Sequence, residues 1–253
     1  MSYIIFDLEF NHPSKSQDEE QNKINKRFPF EIIQIGGLKL DSDFNTIATF
    51  DKLIKPEAYT DIKPYIQEIT GLTSELLSTE NNFKELYLSL YDFMKGDNIL
   101  CVWGASDIKE LFRNFKYHNL DHSDISKQYI DIQHYASKYF NYPKGTNIGL
   151  SKAVELLDIP IKEDFHNAFN DAYYTAEVFK KIYKKEYQPK TYNLNKTKSA
   201  REEVQRTKLD TNKLLKQFEK MFNRELTKEE QSMIKLAYNM GNTNQFQVQK
   251  KKS

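Results

Sequence analysis

Residues 165–179, FHNAFNDAYYTAEVF, constrain the fold more than any other stretch of the chain. Ala168, Ala172, Thr175, Ala176 and Phe179, followed by Ile182 and Tyr183, recur at helical spacing and make one apolar stripe. Such a stripe has to be covered by another layer. Asp171 stands at its edge, beside Ala172 and four residues before Thr175. A carboxylate carried toward a buried face is costly unless something cationic meets it. Something cationic is therefore expected to meet Asp171 where the helix joins that layer.

The rest of the first 187 residues offers that layer. The stretches 2–8, 32–40 and 46–54 read as strands, the last two joined by the turn-like DSDFN. The polar connection spanning 12–30 is too long for an ordinary hairpin loop, and loops of that length are usually functional or mobile. Residues 83–95 have helical periodicity, and NILCVWG at 98–104 reads as a buried strand ending at Gly104. A helix begins near Asp107, a short strand is expected near 129–133, and helices cover roughly 132–140, 148–157 and 168–186. That order predicts an α/β fold in which a mixed central sheet is flanked by helices.

Past Tyr187 the texture changes. From Pro189 onward the chain holds 15 Lys and Arg against 7 Asp and Glu, whereas the preceding 188 residues hold 22 against 29. An acidic body with a basic tail predicts two parts. The expected organisation is a domain over 1–187, a basic linker over 188–200, and a basic helical C-terminal extension over 201–253. In the extension, Thr227 and Glu230 form a capping box that opens a helix stopping before Gly241. The tail could track a phosphate backbone or dock on a partner.

Four acids carry the chemistry. Asp7 and Glu9 are two apart, so on a strand they project from one face while Phe6 and Leu8 point the other way. Asp107 follows an apolar strand and opens a helix, and Asp171 edges an apolar helix face. Read singly, each has a bland explanation: a strand emerging into solvent, a favourable acid in a first helical turn, a paired surface carboxylate. Read together, they converge in adjacent elements and would repel one another. Hard divalent ions with oxygen ligands resolve that repulsion, so two ions of Mg²⁺ or Mn²⁺ are expected as cofactors. His166, five residues before Asp171, would share no face with it on an ideal helix, but from a preceding loop it could overhang the acids and take a proton.

FDLEF at 6–10, EIIQIGGLKL at 31–40, ITGLTSELL at 69–77, WGASDIKEL at 103–111 and HNAFNDAYYTAEVF at 166–179 together resemble the ordered motifs of the DEDDh 3′–5′ exonucleases. The final His-x4-Asp separates that group from the Tyr-x3-Asp branch. The resemblance implies an RNase H-like fold and hydrolysis of nucleotides from the 3′ end of single-stranded RNA or DNA. It implies that Asp7, Glu9, Asp107 and Asp171 hold two metals and that His166 is the general base. Phe10, Thr70 and Leu72 match positions that contact the terminal nucleotides, Leu72 as an apolar wedge. Trp103 and Gly104 depart from the polar pair often found before the third acid.

Other candidates carry less. His118 and His122 are four apart, with His134 following, but no third ligand stands at a zinc-motif spacing and the segment reads as solvated surface. Cys101, the single cysteine, reads as a small buried hydrophobe and excludes a disulfide framework. No apolar run approaches the ~20 residues of a membrane helix, and the N-terminus MSYIIFDLEF lacks a basic n-region, so no signal peptide and a cytoplasmic location are expected. The alternative function is a non-catalytic nucleic-acid-binding or regulatory module on the same fold, which predicts at least one lost acid.

Overall fold

The computed structural model describes residues 2–13, 25–143, 146–193 and 211–242. The chain divides into two compact units, Met1–Asn195 and Lys196–Ser253. The expected 12–30 loop, the 188–200 linker and the start of the C-terminal extension lie partly outside the described residues.

The larger unit is built on three strands: β1 (Ser2–Asn11), β2 (Glu31–Leu40) and β3 (Thr46–Leu53). Two short helices follow, α1 (Pro64–Thr70) and α2 (Ser74–Ser78), then α3 (Phe83–Met94). Next come β4 (Asn98–Val102), α4 (Ser106–Tyr117), β5 (Gln128–Asp131) and α5 (Ile132–Tyr139). The unit closes with α6 (Leu150–Leu156), α7 (Ala168–Ile182) and β6 (Lys190–Thr191). The sheet order is β3-β2-β1-β4-β5-β6. Strand β1 pairs antiparallel with β2 and parallel with β4, so the sheet is mixed. Its layers make it an RNase H-like fold.

Strand alternation assigns each face its helices. Tyr3 and Ile5 of β1 join Ile99, Cys101 and Ile130 in a core covered by α5, α6 and α7. Ile4, Phe6 and Leu8 join Leu100, Val102 and Phe50 in a second core covered by α3 and α4. Asp7 and Glu9 continue the first of these faces, toward α7. Cys101 is fully buried in that core.

What seats α7 is a glycine. Gly36 lies opposite Asp7 in the β1–β2 register. A Cβ added there would lie 2.1 Å from the backbone nitrogen of Phe169 and 2.2 Å from the carbonyl carbon of Ala168. The first turn of α7 thus rests directly on strand backbone, and the buried Gln34 fastens it: Ala168 N–H donates to Gln34 Oε1 at 3.1 Å. Asn167 caps the helix, accepting from the N–H groups of Phe169 and Asn170.

Several boundaries differ from the sequence reading. Strand β4 stops at Val102 because Gly104 takes a left-handed φ of 96°, which ends the ladder before the helix. Helices α1 and α2, at seven and five residues, are too short to show periodicity. Helix α7 ends at Ile182, where Tyr183 turns extended and its ring packs 4.9 Å from Phe44. His118 is buried and stacks on Phe83 at 5.2 Å, against the expectation of a solvated histidine. In the smaller unit, α8 (Thr211–Phe222) and α9 (Lys228–Asn242) are joined by a turn. Its capping box is formed: Glu230 N–H donates to Thr227 Oγ1 at 3.2 Å and Thr227 N–H to Glu230 Oε2 at 2.9 Å.

Gly36→Ala is expected to destabilise the larger unit by about 1–3 kcal/mol or more, since both clashing atoms belong to helix backbone and cannot rotate away. The denaturant midpoint measures this, and an unchanged midpoint would refute the close seating of α7.

Candidate active site

The acids gather where the first face of the sheet meets the start of α7. One carboxylate oxygen from each of Asp7, Glu9 and Asp171 lies within 4.8 Å of the others. Asp7 and Glu9 reach this point through the period of β1, and Asp171 through the seating of the helix turn at Gly36. Asp107, in the first turn of α4 beyond the end of β4, is outside that tight group. It is buried, 6% exposed, and its Oδ1 accepts from Ser106 Oγ at 3.3 Å.

Electrostatics bind the four into one cluster. Burial, then the charges of Asp107, Asp171 and Glu9, hold the Asp7 carboxyl well above the usual carboxylate range. Burial followed by the charges of Asp171 and Asp107 pushes Glu9 up to about 8. Asp107 is also pushed up to about 8, mainly by burial and against the Ser106 hydrogen bond, with Glu110 and Asp171 adding to the rise. Asp171 is raised by burial and held back by the backbone N–H and the charge of His166. On α4 the cations Lys109 and Arg113 are already engaged by Glu110, at 3.1 and 2.6 Å.

His166 sits just before the Asn167 cap with a φ of 66°. This left-handed conformation is uncommon for a residue with a side chain, though histidine is among those that adopt it more often. It turns the His166 N–H onto Asp171 Oδ2 at 3.2 Å and leaves the imidazole exposed. The other oxygen, Asp171 Oδ1, is buried without a hydrogen-bond partner. A buried acceptor left in that state is expensive and marks a place where a ligand belongs.

The three residues matched to substrate contacts fare differently. Phe10 is half-buried at a register shift between Glu9 and Phe10, with its ring 5.7 Å from Phe30. Thr70 spends its hydroxyl internally, donating to Ile66 O at 2.7 Å and accepting from Leu72 N–H at 3.1 Å. Leu72 is 6% exposed and packs with Ile33, Ile62, Ile66 and Leu77. The turn after the short helix α1 thus folds Leu72 into a small core. The sequence reading also missed Gln34 and Gly36, which position the site without touching it chemically. Their only sequence signal is their place within EIIQIGGLKL.

The sequence profile of the RNase T exonuclease family matches residues 4–179. Among curated proteins, a PolC-type DNA polymerase III of Thermotoga petrophila is 29% identical over 150 residues, 59% of this chain and 10% of that protein. The 3′-5′ exonuclease DinG of Staphylococcus haemolyticus is 26% identical over 185 residues, 73% of this chain and 18% of that protein. The chain thus spans between a tenth and a fifth of the curated relatives it matches. Among solved structures, the nuclease domain of 3′hExo, a DEDDh family member bound to rAMP, superposes with a TM-score of 0.61 at 18% identity, covering 76% of this chain and 96% of that one. Escherichia coli exonuclease I in complex with a dA16 oligonucleotide gives a TM-score of 0.55 at 17% identity over 72% of this chain and 41% of that one. With the profile matching well over half of its length, the chain belongs to the RNase T family of exonucleases.

Proposed function

We propose that this exonuclease is metal-dependent and removes nucleotides from the 3′ end of single-stranded RNA or DNA. The observation that carries the reading is the convergence of Asp7, Glu9 and Asp171, together with an Asp171 Oδ1 that is buried without a hydrogen-bond partner. An all-oxygen set of mutually repelling carboxylates suits a hard divalent cation. Asp7, Glu9, Asp107 and Asp171 would hold two such ions, Mg²⁺ or Mn²⁺. Bound there, they supply positive charge to the phosphate and its developing oxyanions.

The protein's own groups do the rest. His166, exposed at the mouth of the site, accepts a proton from the attacking water. The water oxygen forms the new bond to phosphorus, and the bond from phosphorus to the 3′ oxygen of the preceding nucleotide breaks. The departing 3′ oxygen takes a proton from solvent, and the products are a 5′-nucleoside monophosphate and a chain one residue shorter with a free 3′ hydroxyl. The N–H of His166 fixes Asp171 from the backbone, so replacing the imidazole leaves that hydrogen bond in place. Residues 1–187 form the exonuclease domain in this reading, followed by a linker and a helical extension, in a protein of the cytoplasm. Among the described residues no helix is long and apolar enough to cross a membrane.

A time course on 5′-labelled single-stranded RNA and DNA tests the reading. A ladder shortening from the 3′ end, abolished by chelator and by Asp7→Asn, is expected. Folded protein with metal that shortens neither strand would instead favour a binding or regulatory module. His166→Ala is expected to lower turnover by about 10²–10⁴ while leaving the denaturant midpoint near that of the wild type. Unchanged hydrolysis in that variant would remove His166 from the mechanism.

The raised carboxyls also fix a pH dependence. Glu9 and Asp107 keep their protons up to about 8 in the fold, whereas the unfolded chain releases them near pH 4. Between those values the native state binds more protons, so this cluster's contribution to metal-free stability is greatest below about pH 4 and is lost as pH rises through about 8. In chelator, Glu9→Gln is expected to flatten that slope, and Mg²⁺ should raise the melting temperature more at pH 8 than at pH 5. Denaturation curves at the two pH values measure both, and a metal effect independent of pH would contradict the shared cluster.

A further inference from the structure

We infer that nucleobases upstream of the reacting end are held on an aromatic row of Phe30, His12 and Tyr65, which continues from Phe10, the residue that follows Glu9 on β1. The inference rests on the exonuclease reading above and extends its site. The rings form a continuous row: Phe10 to Phe30 at 5.7 Å between centroids, Phe30 to His12 at 6.5 Å, and His12 to Tyr65 at 5.6 Å. Phe30 is 38% exposed and Tyr65 50% exposed. His12 Nε2 is also hydrogen-bonded to the Tyr65 hydroxyl, which links the end of β1 to the first turn of α1.

These rings are displayed on backbone that is firmly held. The buried Asn114 of α4 donates to Phe30 O at 3.1 Å and accepts from Ile32 N–H at 3.2 Å, pinning the chain on both sides of Phe30. Between them, the buried Glu31 carboxylate accepts from the N–H groups of Glu57, Ala58 and Tyr59. Asn11, fully buried, donates to Tyr59 O at 2.6 Å and to Asp61 O at 3.0 Å. The loop leading to Pro64 and Tyr65 is thereby tied to the end of β1.

The rings are inclined to one another, Phe30 nearly perpendicular to His12 at 81° and His12 to Tyr65 at 33°, so the exposed Phe30 and Tyr65 offer separate faces on which unpaired bases can stack. Stacking of this kind tolerates any base, because every base presents a π-face. It carries no hydrogen-bond readout, so the platform favours single strands of several nucleotides over a terminal mononucleotide. A duplex, whose bases stack on one another, offers the platform no free face.

The test compares wild type, Phe30→Ala, Tyr65→Ala and Tyr65→Phe on substrates of increasing length. The shortest is the p-nitrophenyl ester of thymidine 5′-monophosphate, which has no upstream base; the others are thymidine oligonucleotides of two, four and eight residues. In the alanine variants the ratio of octamer to ester kcat/KM is expected to fall about tenfold or more, chiefly through KM, with the loss growing with length. Tyr65→Phe, which keeps the ring and removes the hydrogen bond to His12, should stay within a few-fold of wild type. Alanine variants that lose ester and octamer in equal proportion, or that lose neither, would overturn the platform. Wild-type protein that cleaves neither this series nor the matching uridine ribonucleotide series would sink the exonuclease reading itself. Anisotropy of a labelled octamer in chelator then decides the platform separately: undiminished binding by Tyr65→Ala overturns it, and weakened binding sustains it.

Discussion

The site depends on one close approach, the first turn of α7 resting on β2 at Gly36. No side chain separates helix from strand there, so the helix axis comes within backbone contact of the sheet. Because Gly36 is the register partner of Asp7, the same contact places Asp171 over β1 rather than out toward solvent. Gln34, two residues back on β2, secures the arrangement by accepting from Ala168 N–H while its amide donates to Asp51 at 3.2 Å. A larger residue at position 36 would lift the helix and separate the acids before any change reached the carboxylates themselves.

The approach has an electrostatic consequence. Four carboxyls share a region where burial already disfavours charge, and the charges of Asp171 and Asp107 further raise the proton affinity of Asp7 and Glu9. The fold tolerates this because the surrounding cores are extensive on both faces of the sheet. Like charges concentrated at the end of an apolar strand make sense when their repulsion is relieved by a ligand, and the unpartnered Asp171 oxygen marks where that relief is needed. The left-handed turn at His166 belongs to the same economy, since backbone strain at a functional site persists only where surrounding contacts hold it. Here those contacts are the Asn167 cap and the hydrogen bond to Asp171.

Much of the candidate site was legible in the chain itself. The two-residue spacing of Asp7 and Glu9 put them on one face, and the strand kept them there. The apolar stripe flanking Asp171 announced a buried helix, and α7 is that helix. Helical rotation forbade a shared face for His166 and Asp171 over five residues, and the structure puts the histidine ahead of the Asn167 cap. His118 was misread as solvated, and the burial of Leu72 was equally hidden in the chain. Their burial is decided by which distant residues pack over them: Ile33 and Ile62 in one case, Phe83 in the other. No local pattern encodes such pairings.

By itself, the sequence determined the alternation of strand and helix, the acids and their faces, the capping box of Thr227 and Glu230, and by the resemblance of its ordered motifs the exonuclease family. These follow from period, spacing and residue type, which are properties of a few consecutive residues. Only the tertiary structure decided that Asp171 joins Asp7 and Glu9 more tightly than Asp107 does, that His166 reaches Asp171 through its backbone, and that Phe30, His12 and Tyr65 line up beside Phe10. Each of these joins residues far apart in the chain or depends on a single backbone dihedral. Such distances are set by how closely layers pack, and here that closeness comes from the missing side chain of Gly36.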